Sequence, residues 1–371
     1  MRETNLQTTT WRKVKLGEVM KTPQPDVEKI KTSEYKRAGH IPIFDQGSES
    51  VAGYTDNMKA EYHGKLPAIL FGDHTLILNL AKKPFALGAD GVQVLEPEEP
   101  LFDRKFFYYA LKGLKVKSYG YERHLKYLRE LEITCPDIND QKRIASILST
   151  FDNKIELNNK ISKNLEQTAQ AIFKEWFIKF KYPGHEKVKI VDSELGKIPE
   201  GWEAKNILEI VKRISVGKKY ENETALPKGN VPILDQGQSG RIGFHNSEPG
   251  VIASLDEPVV VFTNHTCNYW LITYPFSAIQ NVLPYVGING YSTLFVYYLT
   301  CGKIKMQGYK GHWPEFEQQE FVIPPQKLAE EYSVIIEPII KKIVEVENEN
   351  KKLTALRDFL LPKLMSGEIR V

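Results

Sequence analysis

The hexapeptide Pro42-Ile43-Phe44-Asp45-Gln46-Gly47 returns as Pro232-Ile233-Leu234-Asp235-Gln236-Gly237, 190 residues further along the chain. Four other segments return in the same order, at offsets of 188 to 191 residues. They are Trp11 and Trp202, residues 71–75 (FGDHT) and 262–266 (FTNHT), Tyr108-Tyr109 and Tyr297-Tyr298, and residues 121–124 (YERH) and 309–312 (YKGH). Shared order and spacing of this kind indicate an internal repeat. The sequence therefore predicts two copies of one segment, with a pseudo-twofold relation between them.

The first part of each copy is expected to be a mixed, β-rich globular fold. Short apolar stretches bounded by Gly, Pro and Asn, such as residues 68–71 (AILF) and 259–262 (VVVF), are typical of buried strands between turns. A helix is predicted at 106–114, and its counterpart at 294–300. The predicted fold class is α+β.

The second part of the first copy is expected to be helical. Asp140 is predicted to cap a short helix that reaches residue 148. A long helix then follows at about residues 150–180, a stretch without Gly or Pro, and residues 182–184 (YPG) end it.

The second copy contains a matching helix. Pro338 suits the first turn of a helix, so the second long helix is expected to begin there and to end before Gly367. Pro362 is expected to kink its last turn. The predicted divisions are a globular part at 1–139, a helical part at 140–182, a second globular part at 183–325 and a second helical part at 326–371.

Both long helices carry one seam at alternating steps of four and three residues, which is a coiled-coil pattern. The seam positions are Phe151, Ile155, Asn158, Ser162, Leu165, Ala169, Ile172 and Trp176 in the first helix, and Ile339, Ile343, Val346, Asn350, Leu353, Arg357, Leu360 and Leu364 in the second. Ser162 and Asn350 interrupt the seam at equivalent places, where a polar residue can fix the register. We expect the two helices to pair as an antiparallel coiled coil. The alternative is that each helix packs on its own globular part.

The bulk composition restricts the class of protein. The chain has 371 residues, a net charge of +3 and three cysteines. Cys135, Cys267 and Cys301 are too few and too scattered for a disulfide framework, so they are expected to be buried thiols in a reducing cytoplasm. No run approaches the roughly 18 apolar residues of a membrane span, and we expect no membrane association.

The predicted geometry suits a reader of double-stranded DNA. A helix of about 28 residues is roughly 42 Å long. Paired DNA-reading modules lie about 34–36 Å apart, one helical turn of the duplex. Two globular parts that differ in sequence would then read two different half-sites. This predicts an asymmetric, bipartite target whose unread spacer is set by the helices.

Several segments resemble one known family. Residues 193–203 (SELGKIPEGWE) resemble the start of a target recognition domain in the specificity subunits of type I restriction-modification enzymes. Residues 141–145 (QKRIA) and 165–177 (LEQTAQAIFKEWF) are similar to the first conserved helical region of that family. Residues 360–367 (LLPKLMSG) are similar to the end of its second. The resemblance covers essentially the whole chain.

The resemblance implies a non-catalytic, DNA-recognition subunit. Such a subunit binds two methyltransferase subunits, and added restriction subunits complete the nuclease. S-adenosylmethionine, ATP and Mg would be held by those partners, and this chain would hold no cofactor. Consistent with this, the sequence has no GxxxxGK[ST] loop and no glycine-rich cofactor loop. The alternatives are a specificity or scaffold module of another DNA-modification system, and an enzyme with an unrecognised site.

Candidate DNA contacts are polar and basic residues on loops of the globular parts, because forked polar side chains read base edges. Specificity is expected at positions that differ between the copies, such as Arg123 against Gly311. The candidates in the first copy are Lys115, Lys117, Tyr121, Arg123, His124, Lys126, His74, Thr75 and Gln46. Those in the second are Lys303, Lys305, Tyr309, Lys310, His312, Asn264, His265, Thr266 and Gln236. The alternative is a solvated domain edge, with the His and Gln residues as parts of structural turns.

An aromatic cluster lies at the end of the first long helix: Phe173, Trp176, Phe177 and Phe180. It exceeds what a two-helix seam can bury. We consider it a candidate docking surface for a methyltransferase subunit, since exposed apolar patches mark interfaces. The alternative is packing on the parent domain.

Overall fold

A computed structural model describes residues 11–47, 51–88, 91–118, 120, 122–237, 240–308 and 310–371. The chain divides into two compact units. Unit 1 comprises Met1–Leu157 and Glu349–Val371, and unit 2 comprises Asn158–Asn348. Each unit thus combines one globular part with pieces of both long helices.

Unit 1 is built mainly on two small sheets. Its strands are β1 (Arg12–Lys15), β2 (Met20–Lys21), β3 (Ile41–Phe44), β4 (Gly53–Thr55), β5 (Ala68–Gly72), β6 (Leu78–Ala81), β7 (Ala86–Leu87), β8 (Val92–Pro97) and β9 (Glu132–Cys135). A four-stranded antiparallel sheet has the order β2-β8-β5-β6, and a three-stranded sheet has the order β4-β3-β7. Strands β1 and β9 form a separate antiparallel pair. Strand β5 is buried along its whole length, as its apolar run predicts.

The helices of unit 1 cover one face of this core. They are α1 (Leu16–Val19), α2 (Arg104–Lys112), α3 (Leu125–Arg129) and the first part of α4 (Ile138–Phe173). Helix α2 confirms the helix predicted at 106–114, and Asp103 caps it by accepting a 2.9 Å hydrogen bond from the Phe106 amide. Phe106 packs in the same core as Ile69 and Phe71 of β5.

Unit 2 has the same strand order on its own sheets. Its strands are β10 (Ile190–Ser193), β11 (Gly196–Pro199), β12 (Glu203–Asn206), β13 (Val211–Arg213), β14 (Val231–Leu234), β15 (Arg241–His245), β16 (Val259–Thr263), β17 (Tyr269–Ile272), β18 (Ser277–Ala278), β19 (Val282–Gly287) and β20 (Glu320–Ile323). The four-stranded sheet is β13-β19-β16-β17, the three-stranded sheet is β15-β14-β18, and β12-β20 is the separate pair. The hairpin β10-β11 is an addition before this core. The helices are α5 (Thr293–Thr300), α6 (Trp313–Glu317) and α7 (Gln326–Ser366).

The predicted start of the first long helix is wrong. Helix α4 is continuous from Ile138 to Phe173, so no separate short helix precedes it, and a π-turn over Lys174–Ile178 follows. The cap is Asp137 rather than Asp140: the Asp137 carboxylate accepts the amide of Asn139 at 2.9 Å and that of Asp140 at 3.2 Å.

The predicted start of the second long helix is also wrong. Helix α7 begins at Gln326 and runs through Pro338. A proline inside a helix removes one hydrogen bond to the carbonyl four residues earlier. That carbonyl belongs to Val334, which is 64% exposed, so water can satisfy it. The C-terminal end before Gly367 is confirmed, and Gly367 has a φ of +78°.

Segments of the two long helices contact each other within each unit. In unit 1, Arg357 pairs with Asp152 at 2.6 Å and Lys154 pairs with Glu349 at 3.3 Å, so these segments run antiparallel. In unit 2, the Tyr332 hydroxyl donates to the Ala169 carbonyl at 3.3 Å. Eleven of the sixteen seam positions are half-buried and the other five are buried. The half-buried positions are Phe151, Ile155, Ser162, Leu165, Ile172, Ile339, Ile343, Asn350, Leu353, Arg357 and Leu360.

The aromatic cluster of α4 is mostly core. Phe173, Trp176 and Phe177 are at most 9% exposed, and Phe177 packs against Phe295 of α5 at a ring separation of 5.2 Å. The prediction that these three side chains form a docking surface is therefore wrong. Phe180 is half-buried. A helical repeat in a sequence shows which residues share a face, but not which neighbour covers that face.

The cysteines only partly match their prediction. Cys135 is buried, Cys267 is half-buried and Cys301 is exposed, and all three are free thiols.

Candidate nucleic-acid interface

Three loops of unit 1 meet beside the end of β5. They are the turn after β3 (Asp45 to Gly47), the turn after β5 (Asp73 to Leu76) and the segment before α3 (Glu122 to His124). The amide of His74 donates to the Gln46 side-chain oxygen at 2.9 Å, and His74 Nδ1 donates to the Glu122 carbonyl at 3.1 Å. Residues that the sequence separates by up to 79 positions thus form one surface, here called the loop cluster of unit 1.

Unit 2 builds the same cluster from the corresponding loops. The amide of His265 donates to the Gln236 side-chain oxygen at 2.9 Å, and His265 Nδ1 donates to the Lys310 carbonyl at 2.9 Å. The Thr266 hydroxyl donates to the Gln236 carbonyl at 2.8 Å. The loop cluster of unit 2 therefore repeats the two hydrogen bonds that His74 makes in unit 1.

The residue after the central strand holds the third loop in each cluster. In unit 1, the Asp73 carboxylate accepts the amide of Leu125 at 2.7 Å. In unit 2, the Asn264 side-chain oxygen accepts the amide of Trp313 at 2.8 Å. An Asp or Asn that accepts an amide at the start of a short helix acts as a cap. This explains why the sequence keeps Asp or Asn, followed by His and Thr, in both copies.

The lysines and the arginine predicted to contact DNA are exposed. They are Lys115, Lys117, Arg123 and Lys126 in unit 1, and Lys303, Lys305 and Lys310 in unit 2. Lys126 pairs with Glu122 at 3.2 Å, and Lys310 pairs with Glu315. The Tyr127 hydroxyl and Lys126 hold the pKa of Glu122 below its usual value, and Lys310 and His312 do the same for Glu315. Both carboxylates therefore stay ionised and offset one lysine in each cluster.

Several predicted DNA contacts are instead structural. The rings of His124 and His312 have no exposed surface, so their side chains cannot reach a base edge, and those two predictions are wrong. The side-chain oxygens of Gln46, Gln236 and Asn264 accept hydrogen bonds from backbone amides. These side chains therefore position the loops of the clusters. Thr75 and Thr266 are exposed, while His74 and His265 are half-buried. Tyr121 and Tyr309 lie outside the described residues.

A polar groove in unit 2 was missed by the sequence reasoning. It has a volume of about 580 Å³ and lies between β13 with the following loop and the turn before β19. Its polar lining is Arg213, Ser215, Lys219, Gln280 and Asn281. The signal was present in residues 213–219 (RISVGKK), where three of seven residues are basic, but nothing local placed them beside the loop cluster.

The described parts of the chain contain neither a candidate metal site nor a candidate membrane-spanning helix. Within those ranges no group of three or more His, Cys, Asp or Glu side chains could hold a metal ion. No helix described there is long and apolar enough to cross a bilayer.

Residues 8–167 match the family model described as "Type I restriction modification DNA specificity domain". This match confirms the predicted resemblance to the specificity subunits of type I restriction-modification enzymes. The chain is 28% identical over 296 residues to the type I restriction enzyme MjaIX specificity subunit of Methanocaldococcus jannaschii, covering 73% of this chain and 68% of that protein. It is 26% identical over 391 residues to the putative type I restriction enzyme MjaX specificity subunit of the same organism, covering 96% and 84%.

The fold is shared with a solved specificity subunit. The crystal structure of the type I restriction-modification system S subunit from M. genitalium matches with a TM-score of 0.57 and 19% identity, over 98% of both chains. Specificity subunits of type I restriction-modification systems are DNA-recognition components.

Proposed function

We propose that this chain is the DNA-recognition subunit of a type I restriction-modification system, and that each globular part reads one half of an asymmetric, bipartite site. The main observation in support of this proposal is that the same loop cluster occurs in both units, with different side chains around it. Arg123 borders the first cluster where Gly311 borders the second. A shared scaffold with different exposed residues is what two different half-sites require.

The long helices are proposed to set the spacer. Their antiparallel contacts in unit 1 and their half-buried seam support pairing as a coiled coil. In this proposal the two copies form an internal repeat, residues 1–139 and 183–325 are the target recognition domains, and residues 140–182 and 326–371 are the helical regions. The equal strand orders of the two units support the repeat.

The chemistry is proposed to lie in partner subunits. Two methyltransferase subunits would bind this chain, and restriction subunits would join the full complex. S-adenosylmethionine, ATP and Mg would be held there, leaving this chain non-catalytic. Leu356 and Phe359 of α7, which are 51% and 61% exposed, are better candidates for methyltransferase docking than the buried aromatic cluster.

A selection experiment tests this function. The purified complex of this chain with its methyltransferase subunits is incubated with a randomised duplex library, and bound duplexes are sequenced. The proposal predicts enrichment of a two-part, asymmetric motif with a fixed gap. Enrichment of no motif, with methyltransferase subunits shown to be bound, would contradict it. A single continuous motif would contradict the two-part reading.

A further inference from the structure

We propose that the groove of unit 2 lined by Arg213 and Lys219 is a base-reading site, in which Arg213 binds a guanine of the half-site read by unit 2. This inference rests on the proposed function and deepens it. The groove is open, has a volume of about 580 Å³, and carries the polar side chains of Arg213, Lys219 and Gln280 among apolar ones. Base edges are read by polar side chains of this kind. Arg213 and Lys219 are both exposed.

The groove adjoins the loop cluster of unit 2. The Asn281 carbonyl accepts the amide of Asn264 at 2.9 Å, and the Asn264 side-chain amide donates to Asn281 Oδ1 at 3.3 Å. Asn264 in turn holds the start of α6 through the Trp313 amide. A duplex that contacts the exposed lysines of this cluster would therefore also meet the groove.

Arg213 is held in place for recognition. It ends strand β13, opposite Tyr285 of β19, and its guanidinium carbon lies 5.5 Å from the centre of the Trp313 ring. This cation–π contact helps to orient the planar guanidinium while leaving its edge for hydrogen bonds. A guanidinium donates two parallel hydrogen bonds to guanine O6 and N7, which is the commonest specific contact of this kind.

The equivalent place in unit 1 carries different chemistry. Strands β2 and β13 pair equivalently with β8 and β19, so Thr22 follows β2 where Arg213 ends β13. The Thr22 hydroxyl accepts a 2.7 Å hydrogen bond from Arg129. Position 91 is Gly, where an added Cβ would lie 2.2 Å from Gln46 Nε2, whereas the matching Asn281 carries a side chain. The two units thus differ where different half-sites would be read.

The test of the groove is to substitute its residues in this chain and to repeat the selection from the randomised duplex library with the full complex. Arg213→Ala is expected to weaken binding to the selected site about tenfold to a hundredfold and to erase the preference for one G·C pair in one half of the motif. Arg213→Lys keeps the charge but loses the forked donor, so binding should largely remain while the guanine preference is lost. Lys219→Ala is expected to weaken binding evenly across sequences and to lower the salt dependence by about one phosphate contact.

Lys212→Ala is the matched control, because it removes the same charge from the adjacent residue of β13, whose side chain leaves the opposite face of the strand. It should leave the motif unchanged. Thermal unfolding of Arg213→Lys, compared with the unaltered chain, shows whether unit 2 remains folded.

The outcomes separate the two proposals. An unaltered complex that selects no motif contradicts the proposed function itself. In a second outcome, the unaltered complex selects a bipartite motif while the folded variants Arg213→Lys and Arg213→Ala select the same motif at the same affinity. That result overturns only the proposal that the groove reads a base. Loss of preference in the half read by unit 1 would also overturn it.

Discussion

Asp152 of α4 contacts side chains of both α2 and α7 within unit 1. From these contacts we predict how much stability each side chain contributes. Its carboxylate accepts the Tyr109 hydroxyl of α2 at 2.7 Å and the Arg357 guanidinium of α7 at 2.6 Å. Tyr109 is 1% exposed, and the side chains of Arg357 and Asp152 are 14% and 21% exposed. Burial and the Asp152 carboxylate both raise the pKa of Tyr109, so its hydroxyl stays a donor.

We expect Tyr109→Phe to lower the free energy of unfolding of unit 1 by about 1.5 kcal/mol, because a hydrogen bond to a charged acceptor contributes about 1.5–3 kcal/mol and this one is partly solvated. Asp152→Ala should cost about 3 kcal/mol, since it leaves a mostly buried guanidinium with its remaining contact to Asp358. In the Asp152→Ala background, Tyr109→Phe should cost less than about 0.5 kcal/mol, which gives a coupling of about 1 kcal/mol.

Hydrogen exchange measured by mass spectrometry on peptides from α2 and α7 reports this stability locally, which suits a chain of two units. Tyr108→Phe is the matched control, because the Tyr108 hydroxyl contacts Lys112 Nζ at a longer 3.5 Å. Tyr298→Phe should affect peptides of unit 2 instead, since its hydroxyl donates to Glu166 at 3.1 Å. Additive effects of the Tyr109 and Asp152 substitutions would refute this coupling.

Three further predictions concern pH, docking and the spacer. Burial, with a smaller contribution from Lys218, lowers the pKa of His245, so the unfolded chain takes up this proton first and unit 2 loses stability as the pH falls below about 6.5. His245→Gln should make that loss shallower in unfolding measurements at pH 7.5 and 5.5, and an equal loss in both proteins would contradict the assignment. Phe359→Ser should reduce co-purification with the methyltransferase while leaving the unfolding temperature within a few degrees, because the ring is 61% exposed; unchanged co-purification would remove Phe359 from the docking surface. Deleting matched turns from α4 and α7 should change the gap of the selected motif and keep its half-sites, and an unchanged gap would end the idea that the helices set the spacer.

The sequence correctly predicted those strands and helix ends that depend on a local pattern of residues. The run at 68–71 gave a buried strand, the apolar helix at 106–114 was found, and the Gly367 end of α7 was placed correctly. These features follow from side-chain periodicity and from glycine at a helix end. The helix start was predicted wrongly at Pro338 because a proline is common at a helix start and uncommon inside one. It is tolerated inside α7 where Val334, four residues earlier, is exposed, and the sequence does not reveal that exposure.

The candidate interface was predictable only in part. The repeated segments identified the three loops, but the sequence could not show that Gln46 and Gln236 use their oxygens to hold His74 and His265. Burial of His124 likewise depends on contacts with Asp73, which is 51 residues away. The groove at Arg213 depends on the pairing of β13 with β19, a long-range register that no local pattern encodes.

Methylation mapping by long-read sequencing is the most direct test of the central claim, that this chain selects DNA through two different half-sites. DNA is taken from cells that carry this chain with its neighbouring methyltransferase, and from cells that lack only this chain. We predict a new asymmetric, two-part methylated motif with a fixed gap in the first sample and its absence in the second. Identical methylation in both samples, with active methyltransferase present, would contradict the account.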